Sequence, residues 1–171
     1  MPTNIEIKAR VRDWDRTSRA AEALADRPLE IIDQCDTFFT CRTGRLKLRE
    51  FSATRGELIA YEREDVAGTK ASRYLISTTS EPAQLRDVLQ RALGLAGLVK
   101  KRRYLYLHGP TRIHLDDVEG LGKFLELEVV LASGEDEARG ETIARELMET
   151  LGVEPEDLLA GAYVDLLASA K

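Results

Sequence analysis

The stretch RIHLDDVEGLGKFLELEVV, residues 112–130, decides the fold. It begins and ends in strict alternation: Arg112, His114 and Asp116 alternate with Ile113 and Leu115, and Glu126 and Glu128 alternate with Leu125, Leu127 and Val129. A period of two puts the charges on one face of a strand and the aliphatic side chains on the other. Between the two runs, Glu119-Gly120-Leu121-Gly122 is turn chemistry, so the stretch reads as a hairpin of strands 111–118 and 123–132. Glu126 and Glu128 point the same way, roughly 6 to 7 Å apart along their strand. The hairpin is expected to bring Asp116 opposite them.

The same pattern recurs along the chain. In NIEIKARV, Asn4, Glu6 and Lys8 alternate with Ile5, Ile7, Ala9 and Val11; Arg45, Lys47 and Arg49 alternate with Leu46 and Leu48; Lys101 and Arg103 share a face within the run KKRR. Further strand-like segments lie at 3–12, 34–41, 44–51, 56–64, 72–78 and 98–108, making about eight strands in all. At that number an antiparallel sheet can close into a small barrel. Helices are expected at 13–25, 81–93, 135–151 and 156–168, with Asp13 and Ser80 as N-caps, Pro82 near a first turn, and Gly94 and Gly152 as stops. The fold class is α+β.

With 171 residues, 32% charged and 43% hydrophobic, the chain reads as one domain over residues 1–171 with enough length to bury a core. No apolar run is long enough to span a bilayer, and MPTNIEIK carries no secretory signal, so a cytoplasmic, membrane-free protein is expected. A net charge of −5 argues against nucleic acid and favours a small, highly charged anion held at a local basic site. Cys35 and Cys41, with only two histidines, make no zinc ligand set and read as structural thiols. No Gly-x-x-x-x-Gly-Lys segment supports a P-loop, and Gly120-x-Gly122-Lys123 reads as a hairpin. Trp14, Phe38 and Phe39 lack the basic interleaving of a base-stacking surface and read as core.

A half-solvated sheet would account for any one charged strand. It does not account for the set, because cationic strands side by side repel one another and so do acidic ones. Three carboxylates as close as Asp116, Glu126 and Glu128 raise one another's pKa unless a cation sits among them. Oxygen ligands without Cys or clustered His favour Mg²⁺ or Mn²⁺. Lys8, Lys47, Arg49, Arg63, Lys101, Arg103 and Arg112, directed into one cavity, would neutralise several phosphate oxygens. A metal combined with a cation clamp is the logic of phosphoryl or nucleotidyl transfer.

Asn4-x-Glu6-x-Lys8, Lys47-x-Arg49, Arg63, Lys101-x-Arg103, Arg112 with Asp116, and Glu126-x-Glu128 together resemble the CYTH family, the triphosphate tunnel metalloenzymes. NIEIKARV, RLKLRE, RIHLDDVEGLGKFLELEVV and GAYVDLL look most like its bacterial class IV adenylyl cyclase branch, and the resemblance runs from about residue 3 to 167. It implies a closed eight-stranded antiparallel barrel with flanking helices, whose lumen binds a triphosphate bridged by Mg²⁺ or Mn²⁺. On family grounds Glu6, Glu126 and Glu128 are metal ligands, and Asp116 is a ligand or orients metal-bound water. Lys8, Lys47, Arg49, Arg63, Lys101, Arg103 and Arg112 hold the phosphates, with Arg45 and Arg73 as further candidates. Glu6, Lys8 and Asp116 are the catalytic candidates. Adenylyl cyclase activity is the first expectation. Hydrolysis of inorganic triphosphate, a nucleoside triphosphate or thiamine triphosphate is the alternative, and a non-catalytic polyphosphate or nucleotide sensor is a third. The family also tolerates homodimers.

Asn4 departs from the family pattern, which has Glu there; an amide offers an oxygen but no charge and no basicity. One metal ion or two, and whether a water is activated by a base, turn on this position. His114 shares a face with Arg112 and Asp116 and reads as a hydrogen-bonded structural residue, His108 as surface loop, and Tyr163 as core packing in the last helix. Glu50, Glu62 and Lys100 fall on the outer faces of their strands.

Overall fold

Alternation sets which side chains each strand can turn inward, and the barrel follows from it. The computed structural model describes residues 2–170. Its strands are β1 (Thr3–Arg10), β2 (Glu30–Phe39), β3 (Arg45–Ser52), β4 (Arg55–Arg63), β5 (Lys70–Thr79), β6 (Leu95–His108), β7 (Thr111–Val118) and β8 (Gly122–Leu131). All neighbours are antiparallel, and the order β1-β5-β4-β3-β2-β6-β7-β8 closes on itself. Closure leaves the main wall without a free edge between first and last strand.

The barrel carries its polar residues inside. Ile5, Ile7, Ala9, Ile113, Leu115, Leu125, Leu127 and Val129 face outward from β1, β7 and β8, yet each is at most 1% exposed. Helices α1 (Trp14–Leu24) and α3 (Glu137–Leu151) cover this wall, burying Ala21, Ala144, Leu147 and Leu151 against it. Burial of each such Leu or Ile is worth about 1.5–3 kcal/mol, so the aliphatic half of the alternation holds the helices on. Gly140 lets α3 come close, since a Cβ there would meet Ile5 Cγ1 at 2.6 Å. Asp13 caps α1 by accepting from the Arg16 amide at 3.0 Å. Helix α2 (Pro82–Leu93) packs on β2, β3 and β4 and ends at Gly94.

Several expectations are corrected. Strand β2 begins at Glu30, four residues before the expected start, and pairs there with Leu105 of β6. Ser80 does not cap α2; Glu81 holds the N-cap position, with no side-chain cap bond. The expected helix 156–168 is broken: a 3₁₀ turn at Pro155–Asp157 leads into an extended segment, and only α4 (Tyr163–Ser169) is helical. In the extended segment, Leu159 N donates to Lys8 O at 2.8 Å, which fastens the terminal segment to β1. His108 ends β6, with Nδ1 2.8 Å from the Leu24 carbonyl, so it is not a loop residue. Among the described residues, no helix is long and apolar enough to cross a membrane.

Candidate functional site

The inward half of the alternation lines a narrow cavity of about 110 Å³ inside the barrel. Glu6, Lys8, Lys47, Arg49, Arg63, Lys101, Arg112, Glu126 and Glu128 all line it. Arg103 and Asp116 do not; they are buried beside it, 4% and 0% exposed. Of the two further candidates, Arg45 pairs with Asp65 and Asp165, whereas Arg73 points outward to Glu137 at 3.6 Å. Glu50 also faces outward, where Arg86 binds it at 3.1 Å.

Register decides the pairings. Closure of β1 on β8 sets Glu6 opposite Glu128 and Lys8 opposite Glu126. In the β7–β8 hairpin, Arg112 lies opposite Glu128, His114 opposite Glu126, and Asp116 opposite Phe124. The expectation that Asp116 stands opposite the two glutamates is therefore corrected, and the residue in that place is His114. Gly120 and Gly122, at φ 79° and 111°, make the turn that fixes this register.

Each carboxylate is held by cations. Lys8 Nζ lies 3.1 Å from Glu126 Oε1, and Arg103 Nη2 donates to Glu126 Oε2 at 2.7 Å. Arg112 Nε donates to Glu128 Oε2 at 2.8 Å, and Arg63 Nη1 to Glu6 Oε2 at 3.0 Å. Asp116 accepts both arms of Arg103 at 2.7 Å, Lys101 at 3.1 Å and the Tyr163 hydroxyl at 2.9 Å. Its oxygens are thus engaged, and its role in this arrangement is to position Lys101, Arg103 and Tyr163.

Burial alone would raise Glu126, but Lys8, Lys101 and Arg103 hold its carboxyl well below the usual range. Glu6 goes the other way: burial, then Glu128 opposite, raise its pKa despite Arg63. Burial lowers Lys8 in spite of Glu126. The direct Glu6–Glu128 pairing of like charges is unfavourable by itself. A divalent cation between carboxylates relieves that repulsion, so the residues present fit the metal that the fold implies.

Sequence reasoning missed Asp36. It is 2% exposed on β2 and accepts Arg49 Nε and Nη2, both at 2.9 Å, with Lys47 Nζ at 3.2 Å. Burial would raise its pKa, and Arg49 and Lys47 overcome this to hold it well below the usual range. Burial, then Arg49, lower Lys47 to about 8. Phe38, expected as core, is buried but turns into the cavity, with Lys47 Nζ 5.6 Å from its ring centre. Tyr163 also lines the cavity, and Lys8 Nζ sits 3.9 Å from its ring centre. The terminal segment closes in here, because Gly161 O accepts from Lys8 at 3.2 Å and from Arg63 at 3.0 Å. Oriented to satisfy its neighbours, the Asn4 amide oxygen accepts from Arg112 Nη2 at 3.1 Å.

His114 is corrected as well. It is 3% exposed, and its Nδ1 has no hydrogen-bond partner. That nitrogen lies 4.0 Å from Glu126 Oε2 and 3.8 Å from Glu128 Oε1. Burial, then Arg103, push its pKa down to about 3.

A closed antiparallel barrel with paired carboxylates and cations along its lumen defines a class of anion-handling tunnel proteins. Residues 2–163 match the CYTH domain, and the chain belongs to that family. Among solved structures, the PH1012 protein of Pyrococcus horikoshii OT3 is similar over 96% of this chain and 99% of its own, at 25% identity and a TM-score of 0.83. A candidate adenylate cyclase from Vibrio parahaemolyticus is 19% identical, with coverage of 96% and 97% and a TM-score of 0.78. A Hippeastrum candidate adenylyl cyclase, described as having a dominant triphosphatase activity, is 15% identical, with coverage of 98% and 96% and a TM-score of 0.63. The last two likenesses bear on the fold alone. No curated protein matches.

Proposed function

We propose that the protein is a divalent-metal-dependent enzyme acting on a triphosphate in its barrel lumen, with ATP cyclised to cyclic AMP and pyrophosphate. The observation that carries this reading is the cavity lining itself: six cations and four carboxylates share the space with Phe38, Ile59, Ile76 and Val99. The charged lining suits a polyphosphate and the apolar lining suits a nucleoside. Lys8, Lys47, Arg49, Arg63, Lys101 and Arg112 bind phosphate oxygens, while Arg103, beside the cavity, supports them through Asp116 and Glu126. Glu6, Glu126 and Glu128 would hold Mg²⁺ or Mn²⁺. Such an ion, when bound, neutralises charge that develops on the phosphates.

Cyclisation forms a bond from the ribose 3′ oxygen to the α-phosphorus and breaks the bond to the β-phosphate oxygen, so pyrophosphate leaves and the 3′ proton must be taken up. Lys8 and Glu6, like Lys47, are lumen groups that burial moves toward neutrality, the direction that favours proton transfer. Asn4 supports attack by a ribose hydroxyl over attack by water, since it replaces a basic side chain with an amide already engaged by Arg112. Hydrolysis is the second reading, because the same cations and carboxylates would hold a triphosphate for attack by water.

Incubation with ATP or inorganic triphosphate under Mg²⁺ and Mn²⁺, followed by phosphorus NMR, tests the reading. Cyclic AMP with pyrophosphate is expected from ATP. Orthophosphate without cyclic AMP would leave only the hydrolase, and binding of both anions with neither consumed would sink the enzyme reading.

Affinity should also depend on alkaline pH. Lys47, at about 8, loses its charge as pH rises through that value. The dissociation constant for inorganic triphosphate, measured by calorimetry, should therefore rise above pH 8, approaching roughly tenfold per unit. Lys47→Arg keeps the charge and should flatten the rise; an equal slope in both proteins would remove Lys47 from the phosphate site.

A further inference from the structure

We propose that His114 is a nitrogen ligand in the metal centre, which makes it a mixed imidazole–carboxylate site that prefers Mn²⁺ over Mg²⁺. The inference rests on the reading that Glu126 and Glu128 hold a divalent ion. What carries it is geometry. One ligand atom each from His114, Glu126 and Glu128 lie within 4.8 Å of one another.

The imidazole is the buried member of that group, and its Nδ1 is an orphan pointed at both carboxylates. A buried polar atom without a partner costs free energy, so native structures rarely keep one that nothing will satisfy. Separations of 3.8 and 4.0 Å are too long for hydrogen bonds. The gap is instead one that a single ion set between the imidazole and the carboxylates would fill. Register reinforces this, because His114 pairs directly with Glu126 while Arg112 pairs with Glu128.

Chemistry then sets the selectivity. Mg²⁺ is hard, keeps its waters and prefers oxygen, whereas first-row transition ions accept imidazole readily. Asn4 works in the same direction. Its amide oxygen already accepts from Arg112, so it adds no carboxylate to the ligand set. An all-oxygen centre would be indifferent to a nearby imidazole; this one has the imidazole inside it.

Mn²⁺ added alone to the full-length protein should show a ¹⁴N hyperfine coupling by electron spin-echo spectroscopy, and the coupling should change to ¹⁵N on labelling with [¹⁵N]histidine. Calorimetry with MnCl₂ and MgCl₂ should give at least about tenfold tighter binding of Mn²⁺. His114→Gln, which offers an amide oxygen, should lose the coupling and most of that preference while retaining Mg²⁺ affinity. The wild-type spectrum needs no variant to fold. Absence of the coupling, absence of metal binding, or an unchanged Mn²⁺ to Mg²⁺ ratio in a folded variant would each overturn the assignment. Binding of inorganic triphosphate in EDTA, measured on the same samples, separates the two readings. Triphosphate binding without the coupling removes His114 alone, and the coupling without triphosphate binding removes the triphosphate reading alone.

Discussion

Replacing Glu126 and Glu128 together by Gln should lower metal-dependent turnover of the triphosphate on the order of 10³-fold while the chain stays folded. Gln keeps the size of Glu and one carbonyl oxygen but removes two negative charges from the lumen. The fold should survive because the hairpin's outer face, Ile113, Leu115, Leu125, Leu127 and Val129, is untouched and fully buried under the helices. Arg103 also keeps its bidentate pair with Asp116. Lys8 and Arg112 lose their carboxylate partners, so the lumen becomes more positive. Binding of inorganic triphosphate in the absence of metal should therefore hold or tighten even as turnover collapses. Circular dichroism checks the fold, calorimetry the binding and phosphorus NMR the turnover. Unchanged turnover in a folded variant would mean that these carboxylates do not serve the metal.

Much of this arrangement was legible because alternation is a local property. Glu6 and Lys8, Lys47 and Arg49, Arg112 and Asp116, and Glu126 and Glu128 each share a face by period two, and the structure turns all those faces inward. What alternation cannot supply is register, which depends on turn geometry and on which strands meet when the barrel closes. A lone His in a strand reads as structural from sequence, and only register sets His114 opposite Glu126. A shift of two residues in the hairpin would have put Asp116 where His114 stands, opposite Glu126.

Asp36 escaped for a different reason. Its strand reads Gln34-Cys35-Asp36-Thr37-Phe38-Phe39, and Asp36 shares its face with Phe38, so the inward face mixes an acid with an aromatic ring. No clean polar stripe marks it. The terminal segment departs from the expected helix because Pro155 and the acidic residues after it resemble a helix start, whereas residues 158–162 are drawn across the barrel by bonds from Lys8 and Arg63 to Gly161 O and from Lys70 to Leu159 O. Those partners come from β1, β4 and β5, far away in sequence.

Asp36→Asn should destabilise the ligand-free protein by roughly 3–5 kcal/mol, and a bound triphosphate should restore much of the loss. Asn retains one acceptor for Arg49 but no charge to balance Arg49 and Lys47, with Lys101 close enough to add to their repulsion. Lys47 can yield by losing its proton, since its pKa is already near 8. Arg49 cannot, so an uncompensated guanidinium remains in the lumen wall. A triphosphate brings the missing negative charge to the same two side chains. Its stabilisation of the variant, measured by urea denaturation with and without saturating inorganic triphosphate, should exceed its stabilisation of the wild type. The excess measures the coupling between the Asp36 carboxylate and the anion for Lys47 and Arg49. Equal stabilisation of both proteins would mean that the triphosphate binds elsewhere, and that the buried ion pair on β2 and β3 serves the fold alone.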